Sequence, residues 1–199
     1  MSRRSLPKYF KPLQIEAIVA AAQAALDRAS TKVKRRAAWR DLVMLQTLRY
    51  AGLRISELCH VRIEDLDLSD PNDPEIQVKH GKGDKDRNVP IGSKLLPILI
   101  EWIGERKAGL VFPGRGERPL CSRTFQRRLP ALARAAGFVV SKENKANPHR
   151  LRHTFATSYL KANKNLREVQ ELLGHSSLQT TAIYLHTDQE ELKRGVDRL

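Results

Sequence analysis

Between Ile76 and Ile91 the chain carries its run of alternating apolar and polar residues: Ile76 and Val78 precede Gly81-Lys82-Gly83-Asp84-Lys85-Asp86, and Val89 and Ile91 follow it. Period-two alternation on both sides of a glycine-containing bend predicts a β-hairpin with a lysine at its tip. Elsewhere the apolar residues recur at helical spacing. The expected fold class is therefore α+β, predominantly helical, with a small antiparallel β-hairpin or sheet on one side.

The helices follow from periodicity and punctuation. Leu6-Pro7-Lys8-Tyr9-Phe10-Lys11-Pro12 reads as a start signal, and Ile15, Ile18, Val19, Ala22 and Leu26 then repeat at helical spacing. Residues 30 to 40 carry five positive charges and no acid, which reads as a solvated linker or a phosphate-contacting loop. A second helix runs through Leu42, Leu45 and Leu48 to Ala51, where Gly52 is placed to stop it in a left-handed conformation. Arg54 then opens another helix. Further helices are predicted at roughly 94 to 106, 122 to 136, 148 to 162, 166 to 173, 177 to 185 and 188 to 196. Leu110-Val111-Phe112-Pro113-Gly114 is a short extended link.

The chain has 199 residues, enough for one ordinary domain with a real core, and no internal repeat or glycine-serine linker divides it. A single domain over residues 1 to 199 is expected. Lys and Arg number 36 against 22 Asp and Glu, a formal charge of +14, which calls for a polyanionic partner without choosing DNA or RNA. No apolar run is long enough to span a bilayer and no targeting segment is visible, so no membrane partner is expected and the cytoplasm is the expected location. Cys59 and Cys121 are 62 positions apart and form no metal knuckle or redox pair.

Polar residues suited to phosphodiester chemistry are spread along this frame. An arginine at the Gly52–Arg54 junction sits beside the free N–H groups of a helix N-terminus, where side chain and main chain can hold one phosphate oxygen. The competing reading is a surface pair of Arg54 with Glu57. Gly81-Lys82-Gly83 lacks the other residues of a nucleotide-binding loop. Asn147-Pro148 opens a helix carrying His149, Arg152 and His153, with His149 and Arg152 on one face. His149 and His153 have the spacing of helical zinc ligands. Arg150 stands where the metalloprotease pattern needs Glu, however, and the flanking arginines oppose a dication, so no metal is expected. Leu172-Leu173-Gly174-His175 is a helix and a glycine stop that would hold His175 in a tight turn, and Tyr184 follows nine residues later.

Taken together, Ala51-Gly52-Leu53-Arg54-Ile55-Ser56-Glu57-Leu58, Gly81-Lys82-Gly83, Pro148-His149-Arg150-Leu151-Arg152-His153-Thr154-Phe155-Ala156, and Leu172-Leu173-Gly174-His175 with Tyr184 resemble the tyrosine recombinases, also called phage integrases or Xer-type recombinases. The motifs occur in the family's order, and the opening Leu6-Pro7-Lys8-Tyr9 is similar to the usual start of its C-terminal catalytic domain. The resemblance implies that Arg54 and Arg152 clamp the scissile phosphate, that His149 and His175 complete the site, and that Lys82 is the acid on the hairpin. Tyr184 would attack phosphorus, leaving a 3′-phosphotyrosyl link and a free 5′-hydroxyl. It also implies a double-stranded DNA partner and assembly as a tetramer on synapsed DNA, with a monomer or weak dimer without it. The family's separate N-terminal core-binding domain is expected to be absent from these 199 residues, which read either as an isolated catalytic domain or as a naturally minimal recombinase. Whether the segment after Tyr184 docks on its own domain or on a neighbour stays open.

Elementary chemistry agrees with these roles. Two planar guanidinium groups match the non-bridging oxygens of a phosphoryl transition state, so positive charge substitutes for a metal and no cofactor is expected. A tyrosine with a pKa of about 10 is ionised to roughly one part in a thousand at neutral pH, so a neighbouring imidazole or the cationic field must help remove its proton, and His149 is the candidate base. The leaving 5′ oxygen needs a proton, for which Lys82 is the first choice and Lys85 the reserve. Expected DNA contacts are Lys34, Arg35 and Arg36 in the basic segment, Lys85 on the hairpin, and Arg123, Arg127 and Arg128 on a groove-facing helix. The expected function is a site-specific DNA recombinase. The alternatives are relaxation of the type IB topoisomerase kind and a non-cleaving DNA-binding regulator on the same scaffold.

Overall fold

The computed structural model describes residues 8–79, 86–175, 177 and 181–184. Along these residues the order is α1 (Pro12–Asp27), α2 (Lys32–Ala51), α3 (Ile55–His60), a 3-10 turn (Ile63–Asp65), β1 (Leu66–Asp67), β2 (Glu75–Val78), β3 (Arg87–Pro90), α4 (Leu96–Ile103), α5 (Ser122–Ala135), α6 (Pro148–Asn163) and α7 (Leu166–Leu173). The strands form one antiparallel sheet in the order β1-β2-β3, with Ile76 opposite Val89 and Val78 opposite Arg87. The α+β class expected from the pattern is the one observed. The hairpin bend, with Lys82 and Lys85, lies outside the described residues, as does the helix expected from 188 to 196.

Two expectations differ from the structure. The basic segment is the start of α2, not a linker or loop. The side chain of Thr31 accepts a hydrogen bond from the Lys34 N–H at 3.2 Å, capping a helix whose first turns are exposed and therefore show no apolar periodicity. The sheet also gains β1, whose two residues pair as Leu66 with Ile76 and Asp67 with Glu75. A two-residue strand is too short to show alternation.

Helix α2 is the axis of the molecule. It packs against α1, α4, α5 and α6, and Val43, Met44, Leu45 and Leu48 along it are completely buried. A second, smaller apolar cluster, Ala156, Val169, Leu173 and Tyr184, lies between α6, α7 and the last described turn. Arg150 pins the incoming chain to α6. Its guanidinium stacks over Phe10 and Phe138 and donates to the Tyr9 carbonyl, while the Phe10 N–H donates to Thr154 Oγ1 at 2.9 Å. The two arginines of His149-Arg150-Leu151-Arg152 thus serve opposite sides of α6.

Candidate active site

The site starts from Gly52. It caps α2 with φ +61°, and a Cβ there would lie 2.2 Å from the Phe155 ring, so both backbone and space demand glycine. The tight turn brings Arg54 to the N-cap of α3 and turns the Gly52 carbonyl toward α6, where Arg152 Nη1 donates to it at 2.7 Å. The second terminal nitrogen of Arg152 donates to the Leu173 carbonyl at the end of α7. One guanidinium therefore ties together three helices that are distant in sequence.

Glu57 organises the cations. Its side chain is 7% exposed and receives the Arg54 N–H and Arg54 Nη1, both at 2.7 Å, and both terminal nitrogens of Arg87, at 3.0 and 2.8 Å; Arg152 Nη1 lies 3.8 Å away. Burial pushes the carboxyl up, but the Arg87 and Arg54 hydrogen bonds and the Arg87 charge outweigh it and hold it down at about 2. Arg54 does pair with Glu57, as the competing sequence reading had it. The pair is a partly buried brace shared with two other arginines, not a surface contact. Three guanidiniums around one carboxylate leave a net excess of two positive charges, a fixed field suited to a phosphoryl group. Burial, followed by the Arg54 charge, pulls Arg152 down to about 10, which still leaves it a cation at neutral pH.

The Leu172-Leu173-Gly174-His175 turn closes the site. Gly174 caps α7 at φ +60°, and the His175 N–H donates to the Gln170 carbonyl at 3.0 Å. His175 is half-buried, with Nδ1 3.1 Å from the hydroxyl of fully buried Thr181. Burial, with the charges of Arg152, Arg54 and Arg87, pushes its imidazole down to about 4, so it is neutral at physiological pH.

Tyr184 is 3% exposed, and its hydroxyl lies 2.8 Å from Nδ1 of His153. Burial raises the Tyr184 pKa and the Arg152 charge opposes the rise. Burial first, then His149 and Arg152, pushes His153 down to about 4, leaving its ring neutral beside the hydroxyl. The sequence favoured His149 as base. In the structure His149 is exposed in the first turn of α6 and borders a shallow cleft of about 260 Å³ with Lys8, Lys142, Lys145 and His153. Both imidazoles lie on one face of α6, a turn apart, and spacing alone could not choose between them.

Of the expected site residues, the structure brings Arg54 and Arg152 together on Glu57, and His175 and Tyr184 into the same region. Lys82 and Lys85 lie outside the described residues. Lys34, Arg35 and Arg36 are exposed on α2, and Arg123, Arg127 and Arg128 are exposed on α5. Arg128 is also tied to buried Asp41, with Nε 2.8 Å from its carboxylate. Sequence reasoning passed over Arg87. Its signal is register, since Arg87 shares the inward side of β3 with buried Val89. Among the described residues no group of three or more His, Cys, Asp or Glu is arranged to hold a metal, and no helix is long and apolar enough to cross a membrane.

Comparison with known proteins places this geometry. The tyrosine recombinase XerC of Xylella fastidiosa strain M23 is 40% identical over 161 residues, and that of Xanthomonas axonopodis pv. citri strain 306 is 41% identical over the same length. Each match covers 79% of this chain, and the chain spans about half of those proteins, 52% and 50%. Among solved structures, the XerA recombinase superposes with a TM-score of 0.75 at 27% identity, covering 100% of this chain and 65% of that one. The XerH site-specific recombinase, in its post-cleavage complex with a palindromic difH substrate, superposes with a TM-score of 0.79 at 27% identity, covering 96% of this chain and 53% of that one. A family model, the phage integrase family, matches residues 8–191. With that match spanning nearly the whole sequence and the arginines, imidazoles and tyrosine gathered as described, the chain belongs to the phage integrase family.

Proposed function

We propose that this chain carries the DNA-cleaving and rejoining centre of a site-specific recombinase acting through a 3′-phosphotyrosyl intermediate. One observation supports the reading above others: Arg54 and Arg152, from opposite halves of the sequence, share the buried Glu57 carboxylate, and the Arg152 charge reaches a tyrosine hydroxyl held by a neutral imidazole.

Arg54 and Arg152 grip the non-bridging oxygens of the scissile phosphate and stabilise the charge that develops there. Tyr184 Oη forms the new bond to phosphorus as the bond to the 5′ oxygen breaks, and the tyrosine proton passes to an imidazole. We assign that proton to His153, the ring in contact with the hydroxyl, and to His149 a hydrogen bond to the phosphate from the exposed cleft. His175, neutral and fixed by Thr181, contacts the phosphate from the other side. Lys82 protonates the leaving 5′ oxygen. The phosphotyrosyl bond conserves the ester, so attack by a second 5′-hydroxyl rejoins the strand without a cofactor.

The partner is double-stranded DNA, in the cytoplasm. Lys34, Arg35, Arg36, Lys85, Arg123, Arg127 and Arg128 contribute phosphate contacts, and a homotetramer forms on synapsed DNA from monomers or weak dimers. The test is covalent capture from a pool of randomised nicked duplexes. A covalent adduct that rejoins to a second duplex supports recombination. Relaxation of a supercoiled plasmid bearing the captured sequence, with no exchange between two copies, would support topoisomerase-like action instead. Sequence-selective binding with no adduct would support a regulator.

A further inference from the structure

We propose that Arg87 is a positioning residue for phosphodiester cleavage, holding the Gly174–His175 turn of α7 against the Arg54–Glu57 pair of α3. The proposal rests on the recombinase reading and extends it to a residue on the sheet.

Arg87 opens β3, and its side chain is 10% exposed. Three of its donors are committed in two directions. Both terminal nitrogens fork onto the two oxygens of Glu57, at 3.0 and 2.8 Å, and Nε donates to the Leu172 carbonyl at 2.9 Å. Gly174 lies against the same side chain: a Cβ there would be 3.1 Å from Arg87 Cδ and 3.2 Å from Nη1. Two successive carbonyls at the end of α7, Leu172 and Leu173, are thus taken by Arg87 and Arg152, where the negative end of the helix favours cations. Glu57 in turn fixes the backbone N–H and side chain of Arg54. A shift of Arg87 therefore moves a phosphate ligand and the His175 turn together. Lysine cannot replace it, because its donors all leave one nitrogen and cannot span the three acceptors that the planar guanidinium reaches from three separate nitrogens.

The test compares Arg87→Gln, Arg87→Lys, Glu57→Gln and the Arg87→Gln/Glu57→Gln double variant on the captured nicked duplex. Arg87→Gln is expected to cut the cleavage rate at saturating protein about 100-fold while DNA affinity stays within about twofold. Arg87→Lys, which keeps the charge and the aliphatic stem and so guards against misfolding, is expected not to restore the rate. The double variant should lose little beyond Glu57→Gln alone, since the two residues act as one unit. Full rate in Arg87→Gln, full rescue by lysine, or additive losses in the double variant would each overturn the proposal. A second readout needs no DNA: in isotope-labelled protein the His175 imidazole should titrate at higher pH in Arg87→Gln, because one cation facing it is gone. An unchanged His175 midpoint overturns the proposal even if the unaltered chain forms no adduct, which is the result that would instead defeat the recombinase reading.

Discussion

The Nδ1 atom of His153 stands 2.8 Å from the hydroxyl of Tyr184, and both groups are withdrawn from solvent between α6 and the last described turn. Such a contact gives the proposed nucleophile a hydrogen-bond partner but also holds it inside the protein. Removing the ring by His153→Phe should lower the single-turnover rate of adduct formation by about 100-fold. It should also make the rate climb toward high pH, as the tyrosine comes to depend on its own ionisation. His149→Gln should lower the rate without that change in profile. A pH–rate series on the three proteins checks both expectations.

His153 and His175 both titrate at about 4 instead of the ordinary 6.5, burial being the first cause for each. An unfolded chain takes up these protons near 6.5 and the folded one only near 4. Between those values the unfolded state binds more protons, and stability rises with pH. The stabilisation is complete above the unfolded value and is lost as pH falls through about 4. Melting temperature measured against pH should therefore decline below neutrality, and His153→Phe should remove part of that decline.

Gly52 offers a steric prediction. Gly52→Ala must hold a side chain at φ +61° and place its Cβ 2.2 Å from Phe155. The left-handed backbone costs about 1 kcal/mol and the overlap about 2 kcal/mol more. Urea unfolding should show the loss, and adding Phe155→Leu should recover part of the overlap but not the backbone strain.

The two glycine stops, Gly52 and Gly174, and the hairpin were legible in the sequence because each is a local pattern. Other features were not. The basic start of α2 hid its helix because exposed turns carry no apolar repeat. Glu57 could be paired with Arg54 from spacing, but its second partner, Arg87, is thirty residues away and reaches it only through the fold. In the sequence His153 stands out only by its spacing to His149, which is that of helical zinc ligands. Its meeting with Tyr184, 31 residues further along, depends on the packing of α6, α7 and the last described turn around one apolar cluster, which no local pattern encodes.

The exposed cations on α2 and α5 give an ionic-strength prediction. If Arg35 and Arg127 each meet a DNA phosphate, replacing either by alanine should reduce the slope of log affinity against log salt by about one unit. Titrations of labelled duplex across a salt series read this directly. Unchanged slopes would leave both side chains as solvated surface.

As the proposed nucleophile, Tyr184 should become joined to DNA through its hydroxyl. The most direct measurement digests the captured protein–DNA adduct with a protease and locates the nucleotide by tandem mass spectrometry, beside a Tyr184→Phe sample. The nucleotide is expected on Tyr184, with no adduct from the phenylalanine variant. An adduct of equal yield from that variant, or a nucleotide on any other residue, would contradict that role.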